Sequence, residues 1–199
     1  MKKALIIIDI QNDFLPNGKL AVNQGNEIIP IINNLQKKFD LIIATQDWHP
    51  ANHKSFAANH KDKKEFEIID LNGLPQVLWP IHCVQGTKGA ELNSELNTDA
   101  ISMIIRKGMD VETDSYSVFF DNDKRNKTGL HGYLKEHNVS EVYVCGLAAD
   151  YCVYYTAKDA ADLGYTVFYI ENATKYISEG SYQKAKNELI NLNVEFVEM

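Results

Sequence analysis

The sequence lacks an apolar run long enough to cross a bilayer. The stretch Ala4–Ile8 is closed by Asp9, whereas a spanning helix needs about 20 residues. No signal-peptide cleavage region follows it, and Lys2 and Lys3 are too few for a targeting signal, so a cytoplasmic protein without a membrane partner is expected. Basic residues are in deficit, 20 Lys and Arg against 27 Asp and Glu for a formal net charge of −7. No basic run could track a phosphate backbone, so nucleic acid is not an expected partner. Cysteine is scarce: Cys83, Cys145 and Cys152 form neither an even set nor a CxxC pair. That argues against a disulfide scaffold or zinc knuckle and leaves a free thiol to consider. The first apolar run is followed by DIQNDF, with no GxGxxG or P-loop glycines to cradle a phosphate. Internal repeats, low-complexity tracts and linkers are also missing.

What is present is an ordinary globular composition, 199 residues with 45% hydrophobic and 24% charged. One domain over residues 1–199 is expected, able to bury roughly 70% of its unfolded surface without staples. Oligomeric state is not fixed by the sequence, and a homo-oligomer stays open. Short runs rich in Ile, Val and Tyr predict strands at Ala4–Ile10, Leu41–Thr45, Ile101–Arg106, Glu141–Gly146, Thr166–Ile170 and Val194–Val197. They are apolar throughout rather than alternating, as in a parallel sheet covered on both faces. Helical spacing recurs between them, at Ile28–Leu35, Leu130–Leu134, Tyr154–Leu163 and Ala185–Ile190. The reading is an α/β fold, a three-layer αβα, doubly wound, mainly parallel six-stranded sheet, with sites at the carboxyl ends of strands. The segment from about Asp47 to Asn97 is polar and His-rich, with Pro50, Pro75 and Pro80 and a weak helical signal near its end. A loop of that length is usually functional or disordered, and its aromatics, Trp48, Phe56, Phe66 and Trp79, argue against disorder.

Four groups could carry chemistry. Asp9 ends the first strand, where this fold builds sites, although a lone strand-end Asp equally forms a turn. Asp47 and His49, two apart on an extended segment, point the same way, and His82 could complete an open metal site for zinc, iron or manganese. Isolated loop histidines are otherwise commonly solvated. Cys152 lies where a strand gives way to a helix with Asp150 as its expected N-cap. There the helix terminus would lower the thiol pKa and the backbone N–H groups could form an oxyanion hole. Read alone, Cys152 could equally be a small core residue, as Cys145 is expected to be. Lys107 follows the Ile- and Met-rich strand; it is a solvated tip unless it points into the cleft of Asp9 and Cys152.

Taken in order, DIQNDF, DWHPANHKSF, WPIHCVQGTKGAEL, the Lys107 strand end, SYSVFF and GLAADYCV resemble the nicotinamidases of the isochorismatase-like cysteine hydrolase family, over about residues 4 to 198. The resemblance implies a triad of Asp9, Lys107 and Cys152, a cis peptide before Ala148, and an oxyanion hole from the N–H groups of Ala148 and Cys152. It implies metal ligands Asp47, His49 and His82, with His53 outside the core set, and a divalent metal ion, zinc first and iron or manganese as alternatives. Phe14, Trp79 and Tyr116 match positions lining the substrate pocket, and the extra aromatic Phe120 could narrow it. The implied reaction is hydrolysis of nicotinamide to nicotinate and ammonia in NAD salvage. Isochorismatases of the same fold lack this metal set, so amide cleavage is preferred to vinyl-ether cleavage. The alternative is a related hydrolase for a pyrazinamide-like or N-carbamoyl substrate. A nonenzymatic metal- or nucleotide-binding protein is the reading from outside the hydrolases.

Overall fold

The computed structural model describes residues 2–199. Six strands form one sheet, β1 (Lys2–Ile8), β2 (Leu41–Asp47), β5 (Met103–Lys107), β6 (Val139–Leu147), β7 (Thr166–Lys175) and β8 (Glu195–Val197). Every pairing in it is parallel, in the order β5-β2-β1-β6-β7-β8. The chain therefore winds outward from β1 in one direction and from β6 in the other. The switch point lies between them, where this architecture opens a crevice at the strand ends.

The unbroken apolar character of β1 has a direct cause. Ala4, Ile6 and Ile8 face one core with residues of α2 (Leu130–Glu136), α3 (Cys152–Asp162) and α4 (Glu179–Asn191), while Leu5 and Ile7 face a second core. Burying each such Ile contributes about 1.5–3 kcal/mol. The second core is covered by α1 (Ile29–Leu35), which carries Pro30 in its first turn, and by irregular segments bearing Phe14, Leu20, Trp79 and Leu96. A pyrrolidine fits there because that N–H has no intrahelical partner.

Several ends differ from the sequence reading. β1 stops at Ile8 because Asp9 turns to φ +49°, and β2 runs on past Thr45 through Gln46 and Asp47, both buried. The region after β2 is ordered by pairing, not by helix. Residues near His49 and Phe56 bridge to Val84 and Trp79, with Trp79 N–H donating to Ser55 O at 2.7 Å and His49 N–H to Cys83 O at 3.0 Å. A hairpin of β3 (Ile68–Leu71) and β4 (Leu74–Val77) interrupts it. The weak helical signal is only a short turn at Lys88–Ala90. Among the described residues, no helix is long and apolar enough to cross a membrane.

Candidate active site

Four strand ends deliver polar side chains to the crevice, Asp9 after β1, Asp47 closing β2, Lys107 closing β5, and the turn from Leu147 to Cys152 after β6. The turn comes so close to β1 that a Cβ on Gly146 (φ +117°) would sit 2.1 Å from Ile8 O, so only glycine fits. The peptide Leu147–Ala148 is cis. Within the turn Tyr151 and Val153 N–H donate to Ala148 O and Ala149 N–H to Lys175 O. That leaves the N–H groups of Ala148 and Cys152 unused by the turn.

Lys107 is the hub. Its ammonium is fully buried, 2.9 Å from Asp9 Oδ2, paired with Asp47 Oδ1, 3.1 Å from Ser115 O and 3.3 Å from Cys152 Sγ. It is no solvated tip. Burial works against its charge, but Asp47 and Asp9 outweigh burial and hold its pKa well above the ordinary value. Asp47 is the mirror case: burial would raise it, yet Lys107 and His49 keep it well below the usual carboxylate range. For Asp9 burial prevails over Lys107 and the pKa rises, while Thr45 Oγ1 donates to its Oδ1 at 2.5 Å.

Cys152 opens α3 as expected, but two expectations about it need correcting. Burial pushes the thiol well above its ordinary pKa, and Lys107 only partly opposes this beside Asp9 and Asp47; the helix terminus does not leave a resting thiolate. Asp150, in turn, makes no cap bond to α3, whose N-cap is Tyr151. Its carboxylate accepts from Ile177 N–H at 2.9 Å, Ser178 N–H at 3.0 Å and Ser181 Oγ at 2.5 Å, stapling the start of α4 to the turn that carries Cys152.

Asp47, His49 and His82 bring one ligand atom each within 4.8 Å of one another. Each histidine donates Nδ1–H to a backbone carbonyl, His49 to Gly108 O and His82 to Pro80 O, both at 2.8 Å. Both Nε2 lone pairs are thus left facing Asp47 Oδ2, at 3.6 and 3.8 Å. Those gaps are too long for hydrogen bonds but near the roughly 3.3–3.5 Å between ligands of one tetrahedral ion. Carbonyls that orient ligand imidazoles are the usual support of a metal centre, so the donor set fits a divalent ion. Gly108 (φ +66°) is required here, since a Cβ would lie 2.4 Å from His49 Cε1. His53 falls in another group, with His49 and Asp114.

Phe14, Trp79 and Tyr116 line one pocket with Cys152, Ala148 and the three metal-type side chains. Trp79 and Tyr116 meet edge to face at 6.3 Å and Phe14 lies 5.4 Å from His82. Asp9 and Lys107 stand behind Cys152 and do not line the pocket, and neither does Phe120. Sequence reasoning missed Leu20, Asp114, Tyr151 and Ile177 as pocket residues. It also missed what Gln11 does: its side chain accepts from Asp47 N–H and donates to Asp47 O, both at 2.8 Å, fixing the end of β2.

The isochorismatase domain model matches residues 3–199. A nicotinamidase of Acinetobacter baylyi is 50% identical over 188 residues, covering 94% of this chain and 88% of its own. A nicotinamidase/pyrazinamidase structure from Acinetobacter baumanii superposes with a TM-score of 0.97 at 46% identity, covering 99% of this chain and 96% of the other. A pyrazinamidase of Pyrococcus horikoshii in complex with zinc gives a TM-score of 0.81 at 36% identity, with both chains fully covered.

Proposed function

The chain belongs to the isochorismatase domain family, and we propose that within it the protein is a cysteine amidohydrolase converting nicotinamide and water to nicotinate and ammonia. The observation that carries this reading is Cys152 Sγ at the floor of an aromatic pocket, 3.3 Å from the Lys107 ammonium that also pairs with Asp9. Relatives named nicotinamidase support the substrate. We read residues 1–199 as one domain, since both cores share one sheet, and place it in the cytoplasm, in keeping with three free, buried cysteines. The product would feed NAD salvage.

A carboxamide is a weak electrophile and ammonia a poor leaving group, so attack and proton delivery have to be coupled. The resting pair is a neutral Cys152 thiol beside an Asp9 carboxylate. Asp9 takes the thiol proton as sulfur adds to the carboxamide carbon, and Lys107 balances the charge on both. The N–H groups of Ala148 and Cys152 receive the developing oxyanion. Collapse breaks the C–N bond, Asp9 returns the proton to the leaving nitrogen, and a nicotinoyl thioester remains. Water then attacks the thioester, releasing nicotinate and restoring the thiol. Phe14, Trp79 and Tyr116 hold the flat ring by offset and edge contacts. Asp47, His49 and His82 would hold the divalent ion, zinc by analogy with the Pyrococcus protein, which when bound supplies Lewis acidity toward the ring nitrogen or water.

Ammonia release from nicotinamide is the test, for the parent and Cys152→Ala, each as isolated, after chelation and after zinc, iron or manganese is restored. Loss with the thiol, decline on chelation and recovery with metal are expected. A metal-loaded parent inert to nicotinamide but active through Cys152 on pyrazinamide or an N-carbamoyl compound would overturn the substrate assignment.

A further inference from the structure

The β3–β4 hairpin is at most half-buried, with Ile68 65% accessible; Val77 packs partly buried against the second core, and Gln76 is the buried residue of the two strands. Its buried anchor beside Val77 is therefore polar. Gln76 Nε2 lies 2.8 Å from Val77 O, 3.0 Å from Asp114 Oδ2 and 3.1 Å from the Tyr116 hydroxyl. A carbonyl and a carboxylate only accept, so they fix the amide with its NH2 group inward. With two hydrogens for three acceptors, the Gln76 amide shares one of them with the Tyr116 hydroxyl, which also accepts from Trp79 Nε1 at 3.2 Å. The ring also packs on Trp79, Tyr151 and Tyr155, but residues 111–119 carry no regular secondary structure, so side-chain bonds fix where the hydroxyl points. Tyr116 also borders a second cavity of about 220 Å³, shared with Leu74, Pro75 and Tyr155.

We propose that Gln76 is a positioning residue for substrate binding: through its bond to the Tyr116 hydroxyl it holds that ring against Trp79 as the pocket wall. It thereby sets the affinity for the aryl ring without touching the reacting atoms. The inference rests on the amidohydrolase reading of the site.

The experiment is a double-mutant cycle of Gln76→Met and Tyr116→Phe, with KM and kcat measured on the metal-loaded protein. Met keeps the length but removes the donors. Gln76→Met is expected to raise KM about 2- to 13-fold, the range of one lost hydrogen bond, with kcat within about twofold. In the Tyr116→Phe background the same change should move KM less than about twofold. Gln76→Asn, which keeps the amide but shortens its reach, should fold normally and show a smaller rise, even if the Met variant does not fold. A fall in kcat matched by a fall in active-site titre at unchanged KM would mean a purely structural role, and equal KM effects in both backgrounds would place the action elsewhere; either overturns the proposal. The parent separates this outcome from failure of the underlying reading. If it ignores nicotinamide, the cycle is read on the amide it does hydrolyse, and a parent inert to every small amide overturns both.

Discussion

Replacing Lys107 with Met removes the ammonium that pairs with both Asp9 and Asp47 while keeping its bulk. Both carboxylates are buried, and breaking a buried ion pair from one side costs about 3–5 kcal/mol. At 2–4 °C per kcal/mol for a chain of this size, the melting temperature should fall roughly 6–20 °C at neutral pH. The loss should depend on pH in a definite direction. In the parent, the depressed pKa of Asp47 contributes stability above the unfolded value of about 3.9 that is lost as pH falls through the folded one. The raised pKa of Lys107 contributes fully below about 10.4. In the variant, both carboxylates would have raised pKa values, a cost present at neutral pH that disappears as they protonate. The gap between the proteins should therefore be widest near pH 7–8 and narrow toward pH 4–5. Thermal melts followed by circular dichroism, both proteins in chelator, measure it. A gap independent of pH, or a melting temperature unchanged at pH 7, would refute the ion-pair reasoning.

Burial holds the Cys152 thiol neutral, so its alkylation by iodoacetamide should be slow at pH 7 and keep rising toward pH 9. A rate already level below pH 7 would mean a resting thiolate. Asp150→Ala removes the three acceptor contacts at the start of α4; a loss of about 1–2 kcal/mol, or roughly 2–8 °C in melting temperature, is expected. Because Ile177 lines the pocket, KM should rise as well; thermal melts and steady-state kinetics check the two effects.

The sheet and the strand-end positions of Asp9, Asp47, Lys107 and Cys152 were legible because each follows an apolar run; for β1, β2 and β6 that run is covered on both faces, whereas the edge strand β5 exposes Ile104 and Arg106. Asp150 misled because Asp before a helix ordinarily caps it, whereas here the donors at Ile177, Ser178 and Ser181 compete from far along the chain. The hairpin carries Asn72–Gly73, a strong two-residue turn signal, but Pro75 and its exposed residues obscured the strands. The roles of Gln76, Asp114 and Gln11 depend on which segments meet, and no local spacing encodes that. The direction of the Cys152 pKa likewise turns on burial, which local sequence cannot supply.

The central claim is a covalent intermediate on Cys152. Mixing the metal-loaded protein with nicotinamide, quenching with acid on the millisecond scale and measuring intact and peptide masses tests it most directly. A nicotinoyl adduct confined to the peptide bearing Cys152, formed before steady ammonia release and absent in Cys152→Ala, is expected. Turnover of nicotinamide by Cys152→Ala, or an adduct on Cys83 or Cys145 instead, would contradict it.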